Sequence, residues 1–160
     1  MIVVPKNSAE NVLMAQWACD ILKENLEMFG FDRNGNPMFQ TLGFSRGGEM
    51  LCVFIAYQYA HPNIFMAFAS KSARWASKEN LRALGIWIYH DLNCTRMTTF
   101  TQKKNRRSRK FQEGVGFKHE GKLRNASDEG DIIVYGLTRT DHEQWLRKAF
   151  NGQKESRIAA

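Results

Sequence analysis

Cysteine and proline are both scarce in this sequence, with three of each among 160 residues. Cys19, Cys52 and Cys94 are widely spaced and form no C-x-x-C pair, which argues against a disulfide framework and against a zinc site. The four histidines are scattered without an H-E-x-x-H pattern, so no metal site is predicted. We therefore expect three reduced, buried thiols in an intracellular protein.

Long apolar runs are also missing. The longest, MLCVFIAYQYA, falls well short of the roughly 20 residues that a membrane-spanning helix needs. The opening MIVVP has neither the basic start nor the long apolar stretch of a signal peptide. These absences predict a cytoplasmic protein with no membrane partner.

The residues that are abundant describe an ordinary globular chain. Hydrophobic residues make up 43% and charged residues 24%, which predicts one domain over residues 1–150 and a disordered tail over 151–160. The formal charge of +7 attracts polyanions, namely nucleic acid, acidic membranes or a phosphorylated cofactor. Charge alone does not choose among them.

Apolar periodicity and turn signals predict an α+β chain. Ser8 and Ser77 are the expected N-caps of the first two helices. Helices are predicted at residues 8–26, from Ser77 onward and at 105–113, and strands at 38–44, 49–59, 64–70, 94–102, 117–125 and 131–140. The first three strands read as an antiparallel meander. A right-handed crossover then places 64–70 and 94–102 side by side and parallel.

The segment from Leu92 to Leu146 carries a more specific pattern. It contains LNCTRMTTF, then N-x-x-S at Asn105 and Ser108, a G-x-GF ending at Phe117, and then EGKLR, SDEGD and DIIVYGLTR. Together with the order of elements, this pattern resembles the GCN5-related N-acetyltransferase (GNAT) superfamily, in its ribosomal-protein-acetylase-like branch. The resemblance implies a mostly antiparallel central sheet, flanked by helices, in which strands 4 and 5 form a splayed parallel pair.

The same resemblance implies a function. It implies acetyl-CoA as cofactor and transfer of the acetyl group to a primary amine that attacks the thioester directly, with a protein rather than a metabolite as acceptor. The strand at 64–70 would bind the pantetheine through backbone amides, the following loop would bind the diphosphate, and the asparagine would contact the pantetheine amides. The residues so implied are Ala67, Phe68, Ala69, Arg74, Trp75, Ala76, Ser77 and Asn105. Helix capping by Asn105, and packing of Trp75 on the following helix, remain alternative roles.

The chain also departs from the family pattern. Ser77 and Glu79 stand in the loop where the family has small residues, which predicts a wider or weaker phosphate cradle unless nearby cations compensate. Gln112 stands where many members have a tyrosine acid, and a glutamine cannot protonate a thiolate. Gln112 is still a catalytic candidate as a hydrogen-bond donor. The general base stays unassigned, and its nearest candidates by position are His61, Glu49 and His90. Degenerate members with weakened phosphate loops occur among phage-encoded proteins. A catalytically inactive binding or virion-associated protein is therefore the alternative function.

The run KKNRRSRK, residues 103–110, is the densest basic stretch. We interpret it as a solvated helix face whose cations are also candidate ligands for the phosphates of the cofactor. Nucleic acid is not the favoured partner, because the sequence has no recognised binding motif and no interleaved aromatics here. A homodimer is left open.

Overall fold

The computed structural model describes residues 1–158, with side chains described as far as residue 151. Its α-helices are α1 Ser8–Leu22, α2 Lys78–Ile86, α3 Arg106–Gly114 and α4 Arg139–Ile158, and a π-helical turn at Trp87–Asp91 follows α2. Its strands are β1 Ile2–Val3, β2 Phe39–Arg46, β3 Glu49–Ala60, β4 Asn63–Ser70, β5 Arg96–Gln102, β6 Lys118–Ser127 and β7 Gly130–Thr138. The strands form a seven-stranded sheet in the order β1-β2-β3-β4-β5-β7-β6, with β4 and β5 parallel. The predicted α+β class and parallel pair are confirmed.

The first helix differs from the prediction at both ends, and one helix was missed. The side chain of Asn7, not that of Ser8, caps α1 by accepting a hydrogen bond from the Glu10 amide at 2.9 Å. The helix ends at Leu22 rather than at residue 26, because Lys23 adopts a left-handed conformation with φ of 57°. Helix α4 was not predicted at all.

The predicted domain boundary at residue 150 falls inside α4. The disorder of the tail stays a prediction, and residues 159–160 of that tail lie outside the described residues. The chain clusters into two compact units, one of residues 1–60 and 64–84 and the other of residues 61–63 and 85–160. Each unit is described by itself below.

In the first unit, α1 packs on one face of the β2–β3–β4 strands. Buried residues of the helix, including Met14 and Cys19, contact the inward side chains of the strands. Asn11 is buried among them, where its amide nitrogen donates to the Phe39 carbonyl at 2.9 Å and its amide oxygen accepts from the Thr41 hydroxyl at 2.8 Å. This polar pair fixes the position of the helix along β2 without leaving a buried group unsatisfied.

The second unit contains β5, β7 and β6, with α3 and α4. Alternate residues of β7, namely Ile133, Tyr135 and Leu137, are buried. Trp145 of α4 donates its indole N–H to the Gly114 carbonyl at 2.8 Å, which joins α4 to the end of α3.

The three cysteines are free and buried, as predicted. Burial raises the pKa of all three thiols. In the part of the chain that the structure describes, no helix is both long and apolar enough to cross a membrane.

Candidate active site

Strand β4 supplies the three residues predicted to bind pantetheine. Ala69 is buried and Ala67 partly buried in the cluster that packs on α1. Phe68 points to the opposite face, where its ring stacks on Phe54 at a centroid distance of 5.2 Å. All three side chains therefore contribute to packing. Binding of pantetheine through the backbone of this strand stays a prediction.

The loop after β4 differs most from expectation. Residues Ala73–Trp75 form a 3-10 turn that closes the loop on itself. The amide of Arg74 donates to the Ser72 hydroxyl at 3.2 Å, that of Ala76 to the Ala73 carbonyl at 3.0 Å, and that of Ser77 to the Trp75 carbonyl at 2.9 Å. Three amides that the family resemblance assigned to the diphosphate are thus already used inside the loop.

Trp75 is a core residue. Its side chain is 2% exposed, and its ring stacks on Phe44 at 5.4 Å and meets Phe54 edge-on at 5.1 Å. The sequence had offered two other roles for Trp75, a contact with the cofactor and packing on the following helix at the surface. The buried position of the ring fits neither role. The backbone carbonyl of Trp75 also accepts from the Asn80 side chain at 2.6 Å, which fastens the loop to α2.

The loop after β4 exposes cationic side chains next to the start of α2. Arg74 and Lys71 are exposed, and the Lys71 ammonium lies 5.3 Å from the centre of the Trp17 ring. The Ser77 hydroxyl accepts from the Asn80 amide at 3.1 Å and so caps α2, as predicted. A phosphate here would be bound by side-chain cations and the positive end of a helix dipole, with Glu79 exposed in the first turn as the opposing charge.

In the second unit, Asn105 is the N-cap of α3. Its side-chain oxygen accepts from the Ser108 amide at 3.1 Å, and the residue is exposed. The capping role that the sequence left open is therefore confirmed, and it explains the asparagine of N-x-x-S. The serine is not explained by capping, because the bond uses the backbone amide of Ser108. A pantetheine contact stays a prediction.

Gln112 is fully buried in the second unit. Its amide oxygen accepts from the Thr99 hydroxyl, and its amide nitrogen donates to the hydroxyls of Thr101 at 2.7 Å and Ser108 at 3.1 Å. Both amide hydrogens are used, so none is left for a departing thiolate. The structure gives Gln112 a structural role, tying α3 to β5.

Two of the candidates for the general base lie on the surface. Glu49 begins β3 and is exposed, in register with Arg46 on β2. His61 is exposed just before β4 and belongs to the second unit. Their positions assign neither of them a catalytic role, and the general base stays unassigned.

A polar cluster around Tyr135 was not predicted. The Tyr135 hydroxyl donates to the Glu113 carboxylate at 2.6 Å and accepts from the Arg109 guanidinium at 3.2 Å. Burial, and then the hydrogen bond to Glu113, raise the pKa of this phenol, so it stays protonated and keeps donating at neutral pH. The sequence could have indicated this cluster, because Tyr135 lies inside the apolar run DIIVYGLT and a buried tyrosine hydroxyl requires a hydrogen-bond partner.

A second cluster missed by the sequence lies on β5 and β6. Arg96 forms a two-pronged ion pair with Glu120, at 2.7 and 3.0 Å, and its Nε lies 3.2 Å from the Asn63 side-chain oxygen. Gly136 leaves room for this pair, since a Cβ there would lie 2.2 Å from a Glu120 oxygen. Among the described residues, no group of three or more His, Cys, Asp or Glu is arranged to hold a metal ion.

Comparison with known proteins gives a clear result for the fold alone. No protein-family model and no curated protein sequence match this chain. Solved structures do match. Mycobacterium smegmatis RimJ in complex with CoA-disulfide aligns with TM-score 0.57 and 18% identity over 73% of this chain and 62% of that one. The chain therefore spans less than two thirds of the RimJ chain.

Two further structures align over more of their length. Ribosomal-protein-S5-alanine acetyltransferase from Vibrio fischeri aligns with TM-score 0.60 and 11% identity, over 86% of this chain and 92% of that one. Mutant forms of the spermidine/spermine N-acetyltransferase SpeG from Vibrio cholerae align with TM-score 0.64 and 10% identity, over 90% and 98%. At these identities the likeness establishes that the chain has the GNAT fold, as the resemblance implied.

Proposed function

We propose that this protein is an acetyl-CoA-dependent N-acetyltransferase that acts on a primary amine of a protein, in the cytoplasm. The observation that carries the proposal is the exposed cationic loop between β4 and the start of α2, on a chain with the GNAT fold. Acetyl-CoA would supply a thioester, an acyl group already activated for transfer. Lys71 and Arg74 would bind its diphosphate, and the backbone of β4 would align its pantetheine.

The acetyl transfer itself needs little from the protein. The amine nitrogen forms a bond to the acetyl carbonyl carbon while the carbon–sulfur bond breaks, and the proton lost by the amine ends on the thiolate or on water. The side chains described above supply orientation and charge neutralisation. Gln112 takes no part in the proton transfer, because its amide cannot release a proton and is already bonded to three hydroxyls.

Thermal denaturation with acetyl-CoA tests the proposal. A ligand at 100 times its Kd adds about 2.7 kcal/mol to the free energy of unfolding, which raises the melting temperature of a chain this size by roughly 5–10 °C. The double variant K71Q/R74Q should lose most of that shift. The matched control R33Q/R46Q, which removes two exposed cations elsewhere in the same unit, should keep it.

If millimolar acetyl-CoA does not raise the melting temperature, the proposal that this protein is an acetyltransferase is refuted. The alternative, a catalytically inactive GNAT-fold binding or virion-associated protein, would then be favoured. That alternative has its own support in the three loop amides that are already bonded to Ser72, Ala73 and Trp75.

Asn105 provides a prediction that separates its two roles. Asn105→Ser keeps a capping oxygen, whereas Asn105→Ala removes it and should cost about 1 kcal/mol of stability. If the amide also contacts pantetheine, Asn105→Ser should weaken acetyl-CoA binding by roughly five- to tenfold with an unchanged melting temperature, the size expected for one neutral hydrogen bond. Isothermal titration of both variants measures the two effects separately. Unchanged affinity in Asn105→Ser would leave capping as the whole role.

A further inference from the structure

The run at 103–110 forms an exposed basic surface in the second unit. Its five solvent-facing cations are Lys103, Lys104, Arg106, Arg107 and Lys110. Within α3, Lys110 follows Arg106 by four positions and Arg107 by three, so these three side chains share one face of the helix. Arg109, the remaining cation of the run, is not part of this face, because its guanidinium donates to the Tyr135 hydroxyl and to the Lys103 carbonyl.

The cations at the start of α3 are expected to destabilise this helix. The first turn of the helix has no acidic residue, and its last turn has no basic one. Arg106 and Arg107 therefore meet the positive end of the helix dipole and repel each other, while Glu113 lies near the negative end. In the described part of the chain, Lys104, Arg106, Arg107 and Lys110 form no ion pair that would offset this cost. A charge arrangement that breaks a local rule without compensation points to a functional site.

The basic surface continues onto β6. Lys103 and Lys122 both approach the Asp131 carboxylate, with nitrogen–oxygen distances of 3.9 and 4.0 Å. The pKa of Asp131 is lowered first by the hydrogen bond from the Asn125 amide and then by the charges of Lys122, Lys103 and Arg124. Lysine and arginine on β6 have an ordinary explanation, because β6 is the last strand of the sheet and charges discourage edge pairing. Helix α3 has no exposed edge, so that explanation does not extend to it.

We propose that this basic surface binds the phosphate backbone of a nucleic-acid duplex without reading its sequence. The charges fit, because Arg106, Arg107 and Lys110 lie along about 6 Å of helix, with Lys104 just before it, and a duplex carries one phosphate charge per roughly 1.7 Å of its axis. Arg106 and Arg107 add the planar donor geometry that matches phosphate oxygens. No aromatic residue interrupts the run at 103–110, which favours a duplex over a single strand, since single-strand binding uses stacking platforms interleaved with cations. Backbone binding needs no sequence-reading motif, and this interaction does not depend on the proposed acetyl transfer.

The test is a salt titration of binding to a fluorescein-labelled DNA duplex, followed by anisotropy. Four phosphate contacts predict that log K falls against log salt with a slope of about −3.5. The variant R106Q/R107Q/K110Q should reduce the slope to about −1 and weaken binding at least tenfold at low salt. It should also melt no lower than the parent, because it removes charges that oppose the helix dipole, so lost binding cannot be ascribed to unfolding.

A matched control removes the same charge elsewhere. Lys6, Arg33 and Arg46 are exposed in the first unit, and K6Q/R33Q/R46Q should bind the duplex like the parent. Equal losses in the two triple variants would overturn the proposal in favour of net charge alone. Equal affinity for polyglutamate would overturn it in favour of an acidic protein. Loss of the acetyl-CoA melting shift in R106Q/R107Q/K110Q with undiminished duplex binding would reassign these cations to the cofactor.

Discussion

Replacing Trp75 by alanine is expected to lower the free energy of unfolding by about 3–5 kcal/mol, or roughly 10 °C in melting temperature. The indole is 2% exposed and contacts two other rings, those of Phe44 and Phe54. Its removal loses the burial of a large apolar group and leaves a cavity that the rigid rings on either side cannot fill. Urea and thermal denaturation measure the loss.

Two controls define the cause. Trp75→Phe keeps an aromatic ring in the cluster and should recover about half of the loss. Trp17→Ala removes a partly exposed tryptophan of the same unit that packs against the core cluster and has a cation–π contact to Lys71. It should cost clearly less than Trp75→Ala, because part of its surface is already in solvent. If Trp75→Ala instead melts within a degree or two of the parent while losing the acetyl-CoA shift, the ring contacts the cofactor and its assignment to the core is wrong.

The meander strands could be predicted because the sequence encodes them locally. β2, β3 and β4 are apolar runs separated by strong turn signals, and each occurs within two residues of the predicted range at either end. The Ser77 cap was predicted for the same reason, since the spacing from a serine to the amide three residues on lies within one helical turn. Local chemistry was sufficient for these elements.

The environment of Trp75 could not be predicted in that way. Its neighbours in sequence are polar or small, and they read as a surface loop. The rings that bury it, Phe44 on β2 and Phe54 on β3, become its neighbours only when the sheet forms. The end of α1 was missed for a related reason, because nothing in the composition around Lys23 favours the left-handed conformation that stops the helix.

For the candidate site, the binding roles assigned from the sequence stay predictions, and the structure adds how the atoms of the loop are arranged. The loop at 70–77 does present cations, yet the amides of Arg74, Ala76 and Ser77 are bonded within it. The assignment had assumed that the loop's amides face outward, as they do in glycine-rich loops. A 3-10 turn without glycine turns those donors inward.

Gln112 carries the second large prediction. Gln112→Leu keeps the volume but removes the partner of three hydroxyls, two of them on buried threonines, Thr99 and Thr101. Unsatisfied buried hydroxyls should lower the free energy of unfolding by about 2–4 kcal/mol. The control Gln144→Leu, at an exposed position on α4 in the same unit, should change stability by less than about 0.5 kcal/mol.

Gln112→Glu adds a dependence on pH. At a fully buried position the carboxyl should have a pKa above its unfolded value of about 4.3. The folded state then binds more protons than the unfolded state above that pH. The variant should therefore be closest to the parent below about pH 4 and lose stability relative to it as the pH rises through the folded pKa, by about 1.4 kcal/mol for each unit of pKa shift.

Stability and activity together decide what Gln112 does. If its role is to tie α3 to β5, Gln112→Leu should transfer acetyl groups at the parental rate per folded molecule at low temperature. Gln112→Glu should then show the pH-dependent melting described above. A Gln112→Leu variant as stable as the parent but without acetyl transfer would place this amide in the reaction rather than in the core. A stability difference for Gln112→Glu that is flat with pH would contradict the burial of this position.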